Sequence, residues 1–151
     1  MNYFNQRAKT ARRNLVKAKL FYHISSIENR ESIQQHGLRE SATVQEVSGP
    51  VMFFLTNGMW KHNVARDIMA TPYDLWATAK RHLPADRIHH DNVAELYSAE
   101  SFYVELDSLP ANRLIYLGEH KFNPGEVISL IEIGGRRRLG PCCMDETPRY
   151  A

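Results

Sequence analysis

An imidazole and two hydroxyls stand together in the stretch Phe21-Tyr22-His23-Ile24-Ser25-Ser26-Ile27. Glu28 follows Ser25 by three residues, the spacing of a capping box that opens a helix. His36 and Gly37 close that helix, with Leu38 beyond. The spacing therefore places His23 and both serines beside a helix N-terminus, where ribose hydroxyls or phosphates can be held. The same spacing also suits a strand histidine with a satisfied hydrogen bond and serines that only cap the helix.

Other reactive side chains are less well ordered by their spacing. His89-His90-Asp91 offers metal-binding groups, but no further ligand completes a zinc pattern. No metal is expected. His62, Arg66 and Asp67 follow a buried-strand pattern closely enough to border a pocket. Trp60 and Trp76 suit a core or a groove, with Trp60 the better pocket residue. Tyr73 and Tyr97 are marked by residue type alone. Cys142 and Cys143 are adjacent, so they cannot staple the fold, and they suit reduced thiols. A P-loop and a Gly-x-Gly-x-x-Gly fingerprint are both missing from the sequence.

These groups need elements to carry them. Residues 5–18 are rich in Ala, Arg, Lys and Gln and predict a surface helix with a thin apolar face. Residues 19–24 predict a strand, 27–36 a helix and 39–50 a loop. The run Val51–Thr56 predicts a buried strand, and Asn57-Gly58 punctuates it. Residues 59–70 and 73–83 predict two helices separated at Pro72, and 85–100 carry no clear pattern. Residues 101–106, 113–117 and 126–133 predict strands, and 134–151 a loose tail. Helices early and strands late indicate an α+β fold in a single domain. Its parts would be a basic N-terminal helix at 1–18, a main domain at 19–135 and a tail at 136–151.

The chain has 151 residues and a net charge of +2, with 43% hydrophobic and 24% charged residues, which suits one globular domain. The charge is unevenly placed. Arg7, Lys9, Arg12, Arg13, Lys17 and Lys19 precede the first acid, Glu28, and Arg136, Arg137 and Arg138 form a second group. Such groups suit a phosphate-rich partner or a solvated face. Neither a membrane-length apolar run nor the apolar segment of a secretion signal is present. A cytoplasmic location is expected, in the cell of origin or in a host cell.

The string Phe21 to Ser41 resembles the opening motif of the ADP-ribosyltransferase-fold family: Tyr, His, a variable residue, Ser or Thr, then a helix ending in Gly-Leu. Val51-Met52-Phe53-Phe54-Leu55-Thr56-Asn57 resembles the family's next core strand, and Gly125-Glu126-Val127-Ile128 its late, glutamate-bearing strand. The resemblance covers roughly residues 20–133. It implies a split β-sheet core with flanking helices and NAD+ as co-substrate. It further implies that His23 bonds the adenosine ribose, with Ile24 and Ser25 beside the dinucleotide. Phe54, or alternatively Phe53, takes the place of the family's nicotinamide-stacking tyrosine, without the hydroxyl. Trp60 borders the pocket. Glu126 completes the histidine–tyrosine–glutamate triad and stabilises charge at the anomeric carbon as nicotinamide leaves. Glu100, Glu105 and Glu132 are its rivals.

The leading expectation is a mono-ADP-ribosyltransferase, of toxin, effector or phage-encoded type, that modifies a protein or nucleic acid. Arg7, Arg12, Arg13 and Arg136–Arg138 would contact a nucleic-acid acceptor. A second expectation keeps the fold as a silent binding module. A third is a ribonuclease toxin using His23.

Overall fold

A computed structural model describes residues 3–39, 42–58, 72–91 and 99–121. The described residues form an α+β arrangement of two α-helices and a mostly antiparallel sheet. Helix α1 spans Tyr3–Lys17 and leads directly into strand β1, Leu20–Ser26. A 3-10 turn, Ile27–Asn29, and helix α2, Arg30–His36, follow. The remaining strands are β2 (Leu38–Arg39), β3 (Val51–Leu55), β4 (Tyr73–Ala79), β5 (Ile88–His90), β6 (Ser101–Glu105), β7 (Ser108–Leu109) and β8 (Ile115–His120). Six of them form one sheet in the order β5-β6-β3-β1-β4-β8, and β2 pairs with β7 apart from it.

Register decides what meets what. Paired residues share a face, and alternate residues change face. Phe21 sits opposite Thr78, His23 opposite Trp76 and Ser25 opposite Asp74. The β1–β3 pairing, set by Tyr22 opposite Leu55, brings Phe54 beside His23 on that same face. Phe54 lies opposite Phe102, and Met52 opposite Val104. The resulting layer of Phe21, Met52, Phe54, Trp76, Phe102 and Val104 is the main core, joined by Ala11, Ile33, Leu38, Leu83 and Leu109. Val51, Tyr73, Leu75, Ala77 and Tyr103 are buried on the opposite face, so the sheet is covered on both sides.

Sequence expectations change in places. Residues 73–83 are not a helix: 73–79 form β4, paired with β1 along all seven residues, and only Lys80–His82 make a 3-10 turn. Ala77, Ala79 and Leu75 are good helix formers, but that preference is small in energy and full pairing on a doubly covered sheet overrides it. Ser26, not Ser25, caps the following turn, accepting from the Glu28 amide at 3.3 Å. Helix α1 is the expected surface helix, and its thin apolar face docks on the core. Ala11 is fully enclosed, and Leu15 and Ala18 pack on the same core. Residues 85–100, unpatterned in sequence, contain β5.

Gly37 ends α2 at φ 78°, and a Cβ there would stand 2.0 Å from the carbonyl oxygen of Leu109. Only glycine permits both the left-handed turn and that approach, so the β2–β7 ribbon abuts the end of α2.

Candidate functional site

His23 lies midway along β1 and is held by its neighbours. Its Nδ1 is 2.8 Å from the carbonyl oxygen of Phe53. A carbonyl only accepts, so Nδ1 must carry the hydrogen, and the neutral ring has its acceptor at Nε2. The Phe54 ring packs 5.6 Å from the imidazole, and Trp76 is its cross-strand neighbour. Two residues on, Ser25 is buried, and its Oγ accepts from Trp76 Nε1 at 2.9 Å. The hydroxyl is thereby oriented by a core tryptophan.

Beyond Ser25 the same face turns ionic. Asp74 is wholly buried, yet three donors meet it. Arg30 gives it a two-pronged contact, Nε to Oδ2 and Nη2 to Oδ1, each 2.8 Å, and the Tyr116 hydroxyl donates to Oδ1 at 2.9 Å. Arg30 Nη2 also meets Glu119 at 2.7 Å, and the guanidinium carbon lies 5.5 Å from the centre of the Tyr116 ring. Hydrogen bonding to Asp74, then to Glu119, holds the Arg30 pKa above its ordinary value. Burial first, then the bond to Asp74, raises that of Tyr116. A forked guanidinium–carboxylate pair fixes orientation as well as charge. Here it ties the first residue of α2 to β4 and β8, and so fixes the turn that follows His23 and Ser25.

A bulge makes this convergence geometrically allowed. Asp74 pairs with Glu119 and Trp76 with Tyr116, so two steps on β4 correspond to three on β8. Gly118 sits in the longer stretch at φ 98°. In a regular strand, residues three apart face opposite ways. The extra residue turns Tyr116 and Glu119 to the same side, where Asp74 and Arg30 wait. Sequence reading missed this cluster because it placed Asp74 and Trp76 on a helix. An isolated glycine within the strand-like run 115–120 was the available signal.

At the other end of the face, a cleft of about 220 Å3 opens between the C-terminal half of α1 and the end of β3. Asn14, Lys17, Ala18, Thr56, Asn57 and Glu100 line it. Asn14 Nδ2 donates to the Ala99 carbonyl at 2.6 Å and to Glu100 Oε2 at 3.1 Å, while Thr56 Oγ1 donates to Glu100 Oε1. Burial raises the Glu100 pKa, and the Thr56 bond partly opposes it.

The expected site residues divide accordingly. His23, Ser25 and Phe54 share one face. Phe54 is 2% exposed and packs edge-on against Phe21 at 5.9 Å, as well as against His23. Ile24 and Phe53 belong to the opposite face, where Phe53 meets Tyr103 at 6.1 Å. Trp60, Glu126, Glu132, His62, Arg66, Asp67, Tyr97, Arg136–Arg138, Cys142 and Cys143 lie outside the described residues. Glu105 pairs with His89 at 2.6 Å on the face away from His23. Glu100 is on the His23 side, but the Phe21 and Phe54 rings intervene in the register.

No family model matches this chain, and no curated protein sequence matches it. Among the described residues, no group of three His, Cys, Asp or Glu side chains could hold a metal ion. No described helix is long and apolar enough to cross a membrane.

Proposed function

We propose that this chain is a mono-ADP-ribosyltransferase that takes ADP-ribose from NAD+ and releases nicotinamide. One observation carries the reading: the Phe53 carbonyl accepts from Nδ1 of the motif histidine and so fixes its ring orientation. A ring held in one orientation and one tautomer suits recognition of a ribose edge. The oriented Ser25 hydroxyl and the anchored start of α2 lie next to it on the same face. These features agree with the ribose-binding role that the resemblance gives to His23 and Ser25, while Ile24 turns to the opposite face.

In this reading the glycosidic C–N bond breaks, nicotinamide departs, and a nucleophile on the acceptor bonds to the anomeric carbon. Glu126 would oppose the positive charge that develops there and receive the acceptor's proton. Trp60 would line the nicotinamide end. The fold would be the split-sheet ADP-ribosyltransferase type. Nicotinamide release and labelling of cell extract are measured with labelled NAD+. Wild type should turn over, and His23→Ala and Glu126→Gln should fall at least tenfold, within the range of a lost acid–base or electrostatic group. Absence of both nicotinamide and labelled product from the wild type would overturn the reading.

A second reading, a silent nucleotide- or partner-binding module, is favoured by Phe54. Its ring is packed into the core and has no hydroxyl to offer a dinucleotide. NAD+ binding by calorimetry without turnover would select that reading.

A further inference from the structure

Three basic segments, far apart in sequence, meet at the C-terminal end of α1. The Lys80 amide bonds the Lys19 carbonyl at 3.0 Å, and Lys80 Nζ meets the Leu15 carbonyl at 2.6 Å. The turn Lys80-Arg81-His82 is therefore pinned against the end of α1 and Lys19. Thr78 Oγ1 donates to the Arg113 carbonyl at 2.8 Å, which brings Arg113 to the same end of the sheet. Burial first, then the nearby charges of Arg81 and Arg113, hold the His82 imidazole below its ordinary pKa. Lys9, Arg12, Arg13, Lys17, Lys19, Arg81 and Arg113 are all exposed. Lys9, Arg12 and Arg13 recur at helical spacing on the side of α1 away from the buried Ala11. The first nineteen residues contain no acid to offset them.

We propose that the outer face of α1, extended by Lys19, Arg81 and Arg113, is a docking surface for nucleic acid. The charge calls for a row of phosphates. A lipid surface fits poorly, because a helix lying in a bilayer interface needs an apolar face to insert. α1 spends its apolar side, Ala11 and Leu15, on the protein core. The cleft at the edge of this surface adds a second reason. Lys17 belongs to both, and the cleft has a polar wall in which Asn14 and Thr56 bond Glu100, leaving acceptor capacity on the hydroxyl and carboxyl oxygens for a sugar hydroxyl or a base amine. A single strand therefore fits better than a duplex, with its backbone along α1 and one nucleotide at the cleft. This surface does not depend on the NAD+ reading, and either can fail without the other.

The test is anisotropy of a labelled 20-nucleotide single strand at 50–200 mM salt. Wild type should bind, with affinity falling linearly on a log–log plot against salt. Arg12→Glu/Arg13→Glu should weaken binding about tenfold or more and lower the slope by about two. Arg81→Glu/Arg113→Glu should do likewise, which a tail-like N-terminal contact alone would not produce. All four positions are exposed, and unchanged thermal melting confirms that the variants fold. The proposal is overturned by no binding at 50 mM salt, by variants that bind like wild type, by tighter binding to duplex, or by stronger charge-dependent binding to anionic vesicles.

Discussion

The two halves of one sheet face are built on different principles. Around Phe21, Phe54 and Phe102 the layer is aromatic and apolar, with rings about 6 Å apart and almost no exposure. Around Ser25, Asp74, Arg30, Tyr116 and Glu119 it is polar, and each contact is directional. Apolar packing stabilises in proportion to area and tolerates small displacement. Hydrogen-bonded ion pairs add little net stability but fix where groups stand. His23 sits at the boundary, with Phe54 on one side and the polar cluster two residues on. The division is suited to function: one half holds the fold together, and the other sets the positions of a few atoms.

The strongest test of that division is Phe21→Ala. It removes a fully buried ring and should cost about 3–5 kcal/mol in chemical denaturation. Asp74→Ala should do less to stability, lowering Tm by about 5 °C, because Arg30 keeps Glu119 and some access to water. Its clearer signature should be faster amide exchange in α2, whose first residue has lost its anchor. A Tm loss for Asp74→Ala as large as that for Phe21→Ala would mean that the polar half carries stability rather than position.

Gly118→Ala sharpens the same point at smaller cost. Among the described residues beyond its chain neighbours, no atom lies within 4 Å of a Cβ built there, so the penalty is set by backbone strain at φ 98°. That strain should be about 1–2 kcal/mol if the bulge persists. If the bulge relaxes instead, Glu119 turns away from Arg30. Nuclear Overhauser contacts between residue 119 and Arg30 distinguish the outcomes. A variant with unchanged stability and unchanged contacts would show that the positive φ is not needed to bring Tyr116 and Glu119 together.

How much of this was legible in the sequence follows the same division. The apolar run 51–56 and the aromatic strand at 19–24 announced themselves, because continuous apolar residues have few other uses. The helix ending at Gly37 was equally plain, since its glycine answers a local backbone demand. β4 was not, because its residues read as modest helix formers and only their partners on β1 decide the matter. The Arg30–Asp74–Glu119 cluster draws on residues 44 and 89 positions from Arg30, and its register depends on a bulge. Spacing along a chain contains no record of such long-range pairing. His23 and Ser25 were found by their motif, but the tautomer-setting carbonyl of Phe53 and the tryptophan that orients Ser25 required coordinates.

Glu100 offers the smallest effect, and it probes a carboxylate set into the apolar half. Burial raises its pKa above the ordinary value of 4.5, and Thr56 only partly offsets this. The folded chain therefore holds that proton more tightly than the unfolded chain does. The resulting stability is fully present below the unfolded pKa and is lost as pH rises through the folded value. Asp74 and other paired carboxylates complicate the total curve, so the useful quantity is the difference between wild type and Glu100→Gln. Glutamine imitates the protonated acid and cannot ionise. The advantage of wild type over Glu100→Gln should thus shrink as pH rises above about 4.5, as read by urea denaturation across a pH series. A difference that stays flat would show that Asn14 and Thr56 solvate the carboxylate as well as water does. A difference that grows with pH would go further. It would place Glu100 with the positional groups of the polar half, as an ionised anchor for α1.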